Sequence, residues 1–119
     1  QPQINGDGTQ AYDFIYVEDV AKCNVLAVQA DVGFGFYNVG SEVQTSIREL
    51  CDTILDLKGS DLEVKYLPYS ADDARQLVQN RIGSREKAEI ELGFKFMYSV
   101  RSGLQRLIDW RIQNGIDLA

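Results

Sequence analysis

Short β-prone runs alternate with helix patterns along this chain, and there is sequence for only about three strands. Phe14-Ile15-Tyr16-Val17 is rich in aromatic and β-branched residues and reads as the first strand. Phe36-Tyr37-Asn38-Val39 reads as the second, closed by Gly40. Leu62-Glu63-Val64-Lys65-Tyr66 alternates apolar and polar residues, as a half-buried strand does, and Pro68 ends it. Three short strands cannot make a well-covered parallel sheet. The expectation is therefore an α/β chain, α+β as an isolated piece, with a partial sheet, about four helices and one region over residues 1–119.

The helices carry clear punctuation. Glu18 and Asp19 place acids at the positive start of a helix, and Asp19 reads as a cap. Val20, Ala21, Cys23, Val25, Leu26, Ala27, Val28 and Ala30 leave that helix few polar faces, which predicts packing on more than one side. Ser46-Ile47-Arg48-Glu49 is a capping box, followed by Ile47, Leu50, Cys51, Ile54 and Leu57 at spacings of three and four. Gly59 supplies the stop. Ser84 opens a short helix that ends at Gly93, and Ser99 opens a last one that ends near Gly115. Residues 1–10 read as a loop, with a concentrated turn signal at Asn5-Gly6-Asp7-Gly8. Residues 69–83 read as either a loop or a strand centred on Leu77-Val78.

Charge and residue usage exclude several functions. The formal net charge is −6, and it is uneven: residues 1–80 carry 13 acidic and 5 basic side chains, residues 81–119 carry 5 and 7. An acidic whole argues against nucleic-acid binding, which neutralises phosphates with Lys and Arg. No apolar run approaches the ~20 residues of a membrane span. No basic segment followed by an apolar one opens the chain, so a cytoplasmic protein is expected. There is no histidine, which removes Ser-His-Asp and Cys-His catalysis within this chain. Cys23 and Cys51 form no CxxC pair and are expected to be reduced thiols. The acid pairs Glu18-Asp19 and Asp72-Asp73 lack the spacing of a calcium loop. Trp110, on the last helix, fits a core position and a dimer contact equally well.

Three stretches, in order and in register, resemble a known family. The first is Gly6-Asp7-Gly8-Thr9-Gln10 with Asp13-Phe14-Ile15-Tyr16-Val17-Glu18-Asp19-Val20-Ala21. The second is Tyr37-Asn38-Val39-Gly40 with Thr45-Ser46-Ile47, and the third is Lys87-Ala88, Leu92-Gly93-Phe94 and a helix ending Leu107-Ile108-Asp109-Trp110. Together they resemble the C-terminal part of NAD-dependent nucleotide-sugar epimerases and dehydratases, the extended short-chain dehydrogenase/reductases. The resemblance implies a C-terminal fragment of an extended Rossmann-type enzyme that closes over a nucleoside-diphosphate sugar. The family's NAD fingerprint is a GxxGxxG turn, and no such spacing occurs among the glycines here. Its catalytic Tyr stands four residues before a Lys, and no tyrosine here has a lysine at that distance. Both features would then lie in an N-terminal Rossmann part outside this sequence. NAD would belong to the full-length parent, with none bound to this piece and no turnover by it.

The same resemblance points to the diphosphate contacts. The family places an Arg immediately before the Asp-Phe of its first motif, and Tyr12 stands there in this chain. A second family Arg, in Pro-x-Arg-x-Gly-Asp, corresponds to Ser70. The next arginines are Arg75 and Arg81, with Arg75 expected to take over the diphosphate contact and Arg81 second, so the expected substrate-binding set is Arg75, Arg81, Tyr12, Phe14 and Asp73. Expected partners are the sugar nucleotide, the N-terminal Rossmann part and a second copy of the chain, because open sheet edges pair. A different class of function, a stand-alone interaction or dimerisation module derived from the family, fits the same charge and helix content.

Overall fold

A computed structural model describes residues 1–69 and 78–116. The chain interleaves two units, Gln1–Asp13 with Val43–Ile82 and Phe14–Glu42 with Gly83–Ala119. Among the described residues there are five short strands and four helices, which is a mixed α/β architecture.

The first unit is built around a loop the sequence marks with glycines. Strand β1 (Gln3–Asn5) runs parallel to β4 (Lys65–Leu67), so part of the expected opening loop is a strand. Gly6 then turns the chain with φ +80°, and its amide donates to Leu67 O at 2.7 Å. The Tyr69 ring lies where a Cβ would project from Gly6, so both conformation and space require glycine there. Strand β2 (Ala11–Asp13) follows and is central in a second sheet, antiparallel to β3 (Gln44–Ser46) and parallel to β5 (Asn80–Arg81). The β-prone run Phe14–Val17 is therefore not a strand: pairing ends at Asp13, and the next helix has begun by Val17.

Helix α2 (Ile47–Lys58) has both halves of the predicted capping box. The Glu49 amide donates to Ser46 Oγ at 3.1 Å, and the Ser46 amide donates to Glu49 Oε2 at 2.7 Å. Gly59 ends the helix in the left-handed conformation. The Ser46 amide holds the Glu49 carboxyl below its ordinary 4.5. A carboxyl lowered in the folded state contributes stability above its unfolded value and loses it as pH falls through the folded one. Replacing Glu49 with Gln is therefore expected to lower stability at neutral pH and to shrink the loss below about pH 4.5. Chemical denaturation of both proteins across that range checks this.

The second unit packs helices on a small apolar core. Helix α1 (Val17–Gln29), α3 (Glu86–Leu92) and α4 (Val100–Gln113) belong to it. Cys23, Ala88, Leu92 and Phe94 are buried together, flanked by Ile15, Leu26, Tyr37, Val39 and Phe96. Phe94 reaches this core because Gly93 adopts the left-handed turn that redirects the chain. Burial pushes the Cys23 thiol up, and both cysteines are free. Helix α1 does not pack on several sides: Val17, Val25 and Val28 are exposed, and the helix buries only Asp19 and Cys23. Phe36–Val39 is not a strand either, because no backbone in the described residues pairs with it.

Candidate functional site

Strand β2 sets the candidate site in the first unit. Its register places Tyr12 beside Thr45 of β3 and Arg81 of β5. Register partners share a face of a sheet, so Tyr12, Thr45 and Arg81 make one row. The Tyr12 hydroxyl donates to Val78 O at 3.0 Å, which anchors the ring beside β5. Across the opposite face Gln44 Nε2 donates to Asn80 Oδ1 at 2.6 Å. Ala11, Gln44 and Ser46 also line an open cavity of about 510 Å³, together with Gly8, Thr9, Arg48 and Glu49.

The start of α2 borders that cavity, but its donors are taken. Ile47 N donates to Gln10 O, Arg48 N to Gly8 O and Glu49 N to Ser46 Oγ. Arg48 Nη2 donates to Asp7 O at 2.8 Å, and the guanidinium sits 5.4 Å from the Tyr66 ring centre. The Thr9 amide and then its hydroxyl hold the Asp7 carboxyl below its usual range. This end of the unit is a closed hydrogen-bond clamp around the Gly6–Gln10 loop. It supplies no anion cradle, and the space beside Gly6 and Gly8 is filled by Tyr69 and Arg48. This loop therefore does not fit the pyrophosphate of a dinucleotide cofactor, which needs glycine amides pointing at open space.

The second unit has its own polar cluster, which the sequence did not reveal. Arg106 Nη2 donates to both Glu18 oxygens, at 3.0 and 3.2 Å. Its guanidinium lies 6.0 Å from the Tyr16 ring centre and 5.0 Å from that of Tyr98, and the two rings meet edge to face. Arg106 holds Glu18 below its usual range, Glu18 raises Arg106, and Glu18 pushes the Tyr98 hydroxyl up. With its charge spent on Glu18, Arg106 is a structural cation. Glu18 and Arg106 are 88 residues apart, so no local pattern could have joined them. Arg85 is engaged too, with Glu89 at 2.7 Å and with Glu42 and the Ser41 carbonyl. The partly exposed Trp110 borders a cavity beside this cluster.

Of the expected site residues, the structure brings Tyr12 and Arg81 together. Arg81 is exposed, and its guanidinium has no hydrogen-bond or ion-pair partner among the described residues. Phe14 is half-buried in the second unit, just beyond β2 rather than on a strand. Arg75 and Asp73 lie outside the described residues, as do Ser70 and Asp72. Asp19, read as a helix cap, instead turns inward: it is 1% exposed, and its Oδ2 accepts from the amides of Met97 and Tyr98 at 3.3 and 3.1 Å.

Comparison with known proteins joins this fold to a family. The model of the NAD dependent epimerase/dehydratase family matches residues 1–40. A Methanocaldococcus jannaschii relative bearing the name of a UDP-glucose 4-epimerase is 34% identical over 113 residues, 95% of this chain and 35% of its own length. The UDP-glucose 4-epimerase of Thermotoga maritima, solved with UDP-glucose, superposes with a TM-score of 0.85 at 26% identity, over 98% of this chain and 36% of that one. The chain is similar to members of the NAD-dependent epimerase/dehydratase family. A third member of similar fit is the UDP-N-acetylglucosamine 4-epimerase of Methanobrevibacter ruminantium, solved with UDP-N-acetylmuramic acid, at TM-score 0.83 and 30% identity over 96% of this chain and 35% of that one. The chain thus spans about a third of the length of the relatives it matches. Among its described residues no helix is long and apolar enough to cross a membrane.

Proposed function

We propose that this chain is the sugar-nucleotide-binding, C-terminal part of an NAD-dependent nucleotide-sugar epimerase or dehydratase. The observation that carries the reading is the Tyr12–Arg81 pair on neighbouring strands, with the Arg81 guanidinium unspent. A diphosphate is recognised by a guanidinium donating two parallel hydrogen bonds, and a base or ribose by a flat apolar ring. Arg81 then stands in for the arginine that the family places at position 12, with Tyr12 as the platform. By sequence alone, Arg75, Asp73 and Phe14 complete the proposed substrate-binding set.

In the complete enzyme the reacting sugar is held by this diphosphate grip, which supplies orientation rather than chemistry. NAD supplies hydride exchange when bound, in an N-terminal part that also carries the Tyr/Lys couple. The residues here hold and orient the nucleotide only, so the chain by itself is expected to bind UDP and not to turn over a sugar nucleotide. The location it implies is the cytoplasm, and the expected partners are that N-terminal part and a second copy of the chain.

Calorimetric titration of UDP into the chain tests the assignment. Replacing Arg81 with Ala is expected to raise the dissociation constant about tenfold, the effect of losing one charge-assisted contact. Unchanged affinity would remove Arg81 from the site. The same titration with Arg75→Ala ranks the two arginines.

A further inference from the structure

Trp110 is the only tryptophan of the chain, and it is 53% exposed rather than part of the core. It shares one face of α4 with Arg106, Asp109 and Gln113, which stand at helical spacings of three and four. This stripe, with Tyr16 and Glu18 opposite, lines an open cavity of about 290 Å³ within the second unit. The nucleotide reading uses none of these residues.

The polar groups of the cavity divide into spent and unspent. Both Glu18 oxygens accept from Arg106 Nη2, and Oε1 also accepts from the Tyr16 hydroxyl at 3.5 Å. Asp109 Oδ1 accepts from Gln105 Nε2 at 2.8 Å, while its Oδ2 has no partner among the described residues. Nor do the Gln113 side-chain amide and the Trp110 indole N–H have one there. An indole, a carboxylate oxygen and an amide therefore meet on one wall with hydrogen-bonding capacity left over.

Charge selects the ligand. An anion would face two carboxylates, and the guanidinium beside them is already paired with Glu18. A cation would face that same guanidinium. A neutral ligand meets neither repulsion, so the cavity fits a molecule with one apolar face and a rim of hydroxyls. A pyranose ring has this form. Its C–H face lies on the electron-rich face of an indole, and its hydroxyls donate to a carboxylate and both donate to and accept from an amide. The volume stands at the bottom of the range of ligand cavities, about 300–1,000 Å³, which suits one ring rather than a chain of them.

We propose that Trp110, Asp109 and Gln113 form a binding site for a single neutral sugar ring. The site belongs to a different unit from Tyr12 and Arg81 and does not rest on the nucleotide assignment. Because the chain has one tryptophan, indole fluorescence reads this site directly. The probe is methyl β-D-glucopyranoside, which carries no phosphate, with glycerol at equal concentration as the solvent control. A saturable change with a half-point of about 1–10 mM is expected, as suits so few ligand atoms in an open cavity. Asp109→Ala and Gln113→Ala alter exposed side chains, are expected to keep the helical circular dichroism, and should each raise the half-point about fivefold. UDP is expected not to displace the sugar, and Arg81→Ala to leave the titration unchanged. A change no larger than that given by glycerol, saturation by tetramethylammonium chloride but not by the sugar, displacement by UDP, or half-points unmoved in both Asp109→Ala and Gln113→Ala would each overturn the proposal.

Discussion

Phe94→Ala is expected to destabilise the second unit by about 4 kcal/mol, the range for truncating a large buried aromatic side chain. The ring is 1% exposed and packs among Cys23, Ala88 and Leu92. Its position is fixed from both sides, by the left-handed turn at Gly93 and by its own amide donating to Ala88 O at 3.2 Å. The backbone therefore cannot collapse into the cavity that truncation leaves. Domains of this size are stable by about 5–15 kcal/mol, so the variant sits near the edge of folding. Phe94→Leu keeps most of the volume and is expected to lose about a third as much. Urea unfolding followed by helical circular dichroism compares the three proteins. A Phe94→Ala loss below about 1 kcal/mol would mean that this cluster is not the core of the unit.

Asp19→Ala is expected to cost about 3 kcal/mol, nearly as much, through a different mechanism. The carboxylate is buried in the first turn of α1 and accepts from two amides that precede α4. Truncation leaves the Met97 and Tyr98 amides without that partner, and a buried unmade hydrogen bond costs far more than a made one contributes. Asp19→Asn retains a carbonyl oxygen for both donors and is expected to lose about half as much. Equal losses for Ala and Asn would show that charge, rather than acceptance by the oxygen, holds this connection. Thermal unfolding with near-ultraviolet dichroism of the Tyr98 and Trp110 region separates the two.

The contrast between these residues indicates what could be read from the sequence. Ser46 and Glu49 declare the start of α2 because both halves of a capping box lie within four residues. Gly59 and Gly93 declare helix ends because only their backbone conformation is at stake. Asp19 carried the same local signal as a cap, but its partners are 78 and 79 residues away, and tertiary pairing overrode the local preference. The strands shifted for a related reason. Composition marks where a chain prefers to be extended, whereas a strand exists only where another backbone meets it. Phe14–Val17 lost its pairing to the helix start, and Phe36–Val39 kept its alternation without a partner.

The candidate site divides in the same way. Tyr12 and Arg81 were legible as residues because a family motif flanks Tyr12 and few arginines remain downstream. Their adjacency was not legible, since it depends on the parallel pairing of β2 with β5. Nor did the sequence show that Arg48, Arg85 and Arg106 are already committed, to Asp7 O, to Glu42 and Glu89, and to Glu18. Those engagements make Arg81 the stronger anion donor among these four.

The most direct test is a UDP-glucose titration of the isotope-labelled chain, followed by amide chemical shifts. Saturable shifts are expected at Ala11–Asp13 and Asn80–Ile82, reduced by Arg81→Ala, with the α2 start at Ile47–Glu49 unmoved. Absence of saturable shifts, or shifts centred on Ile47–Glu49 that persist in Arg81→Ala, would contradict the assignment of this face as the nucleotide site.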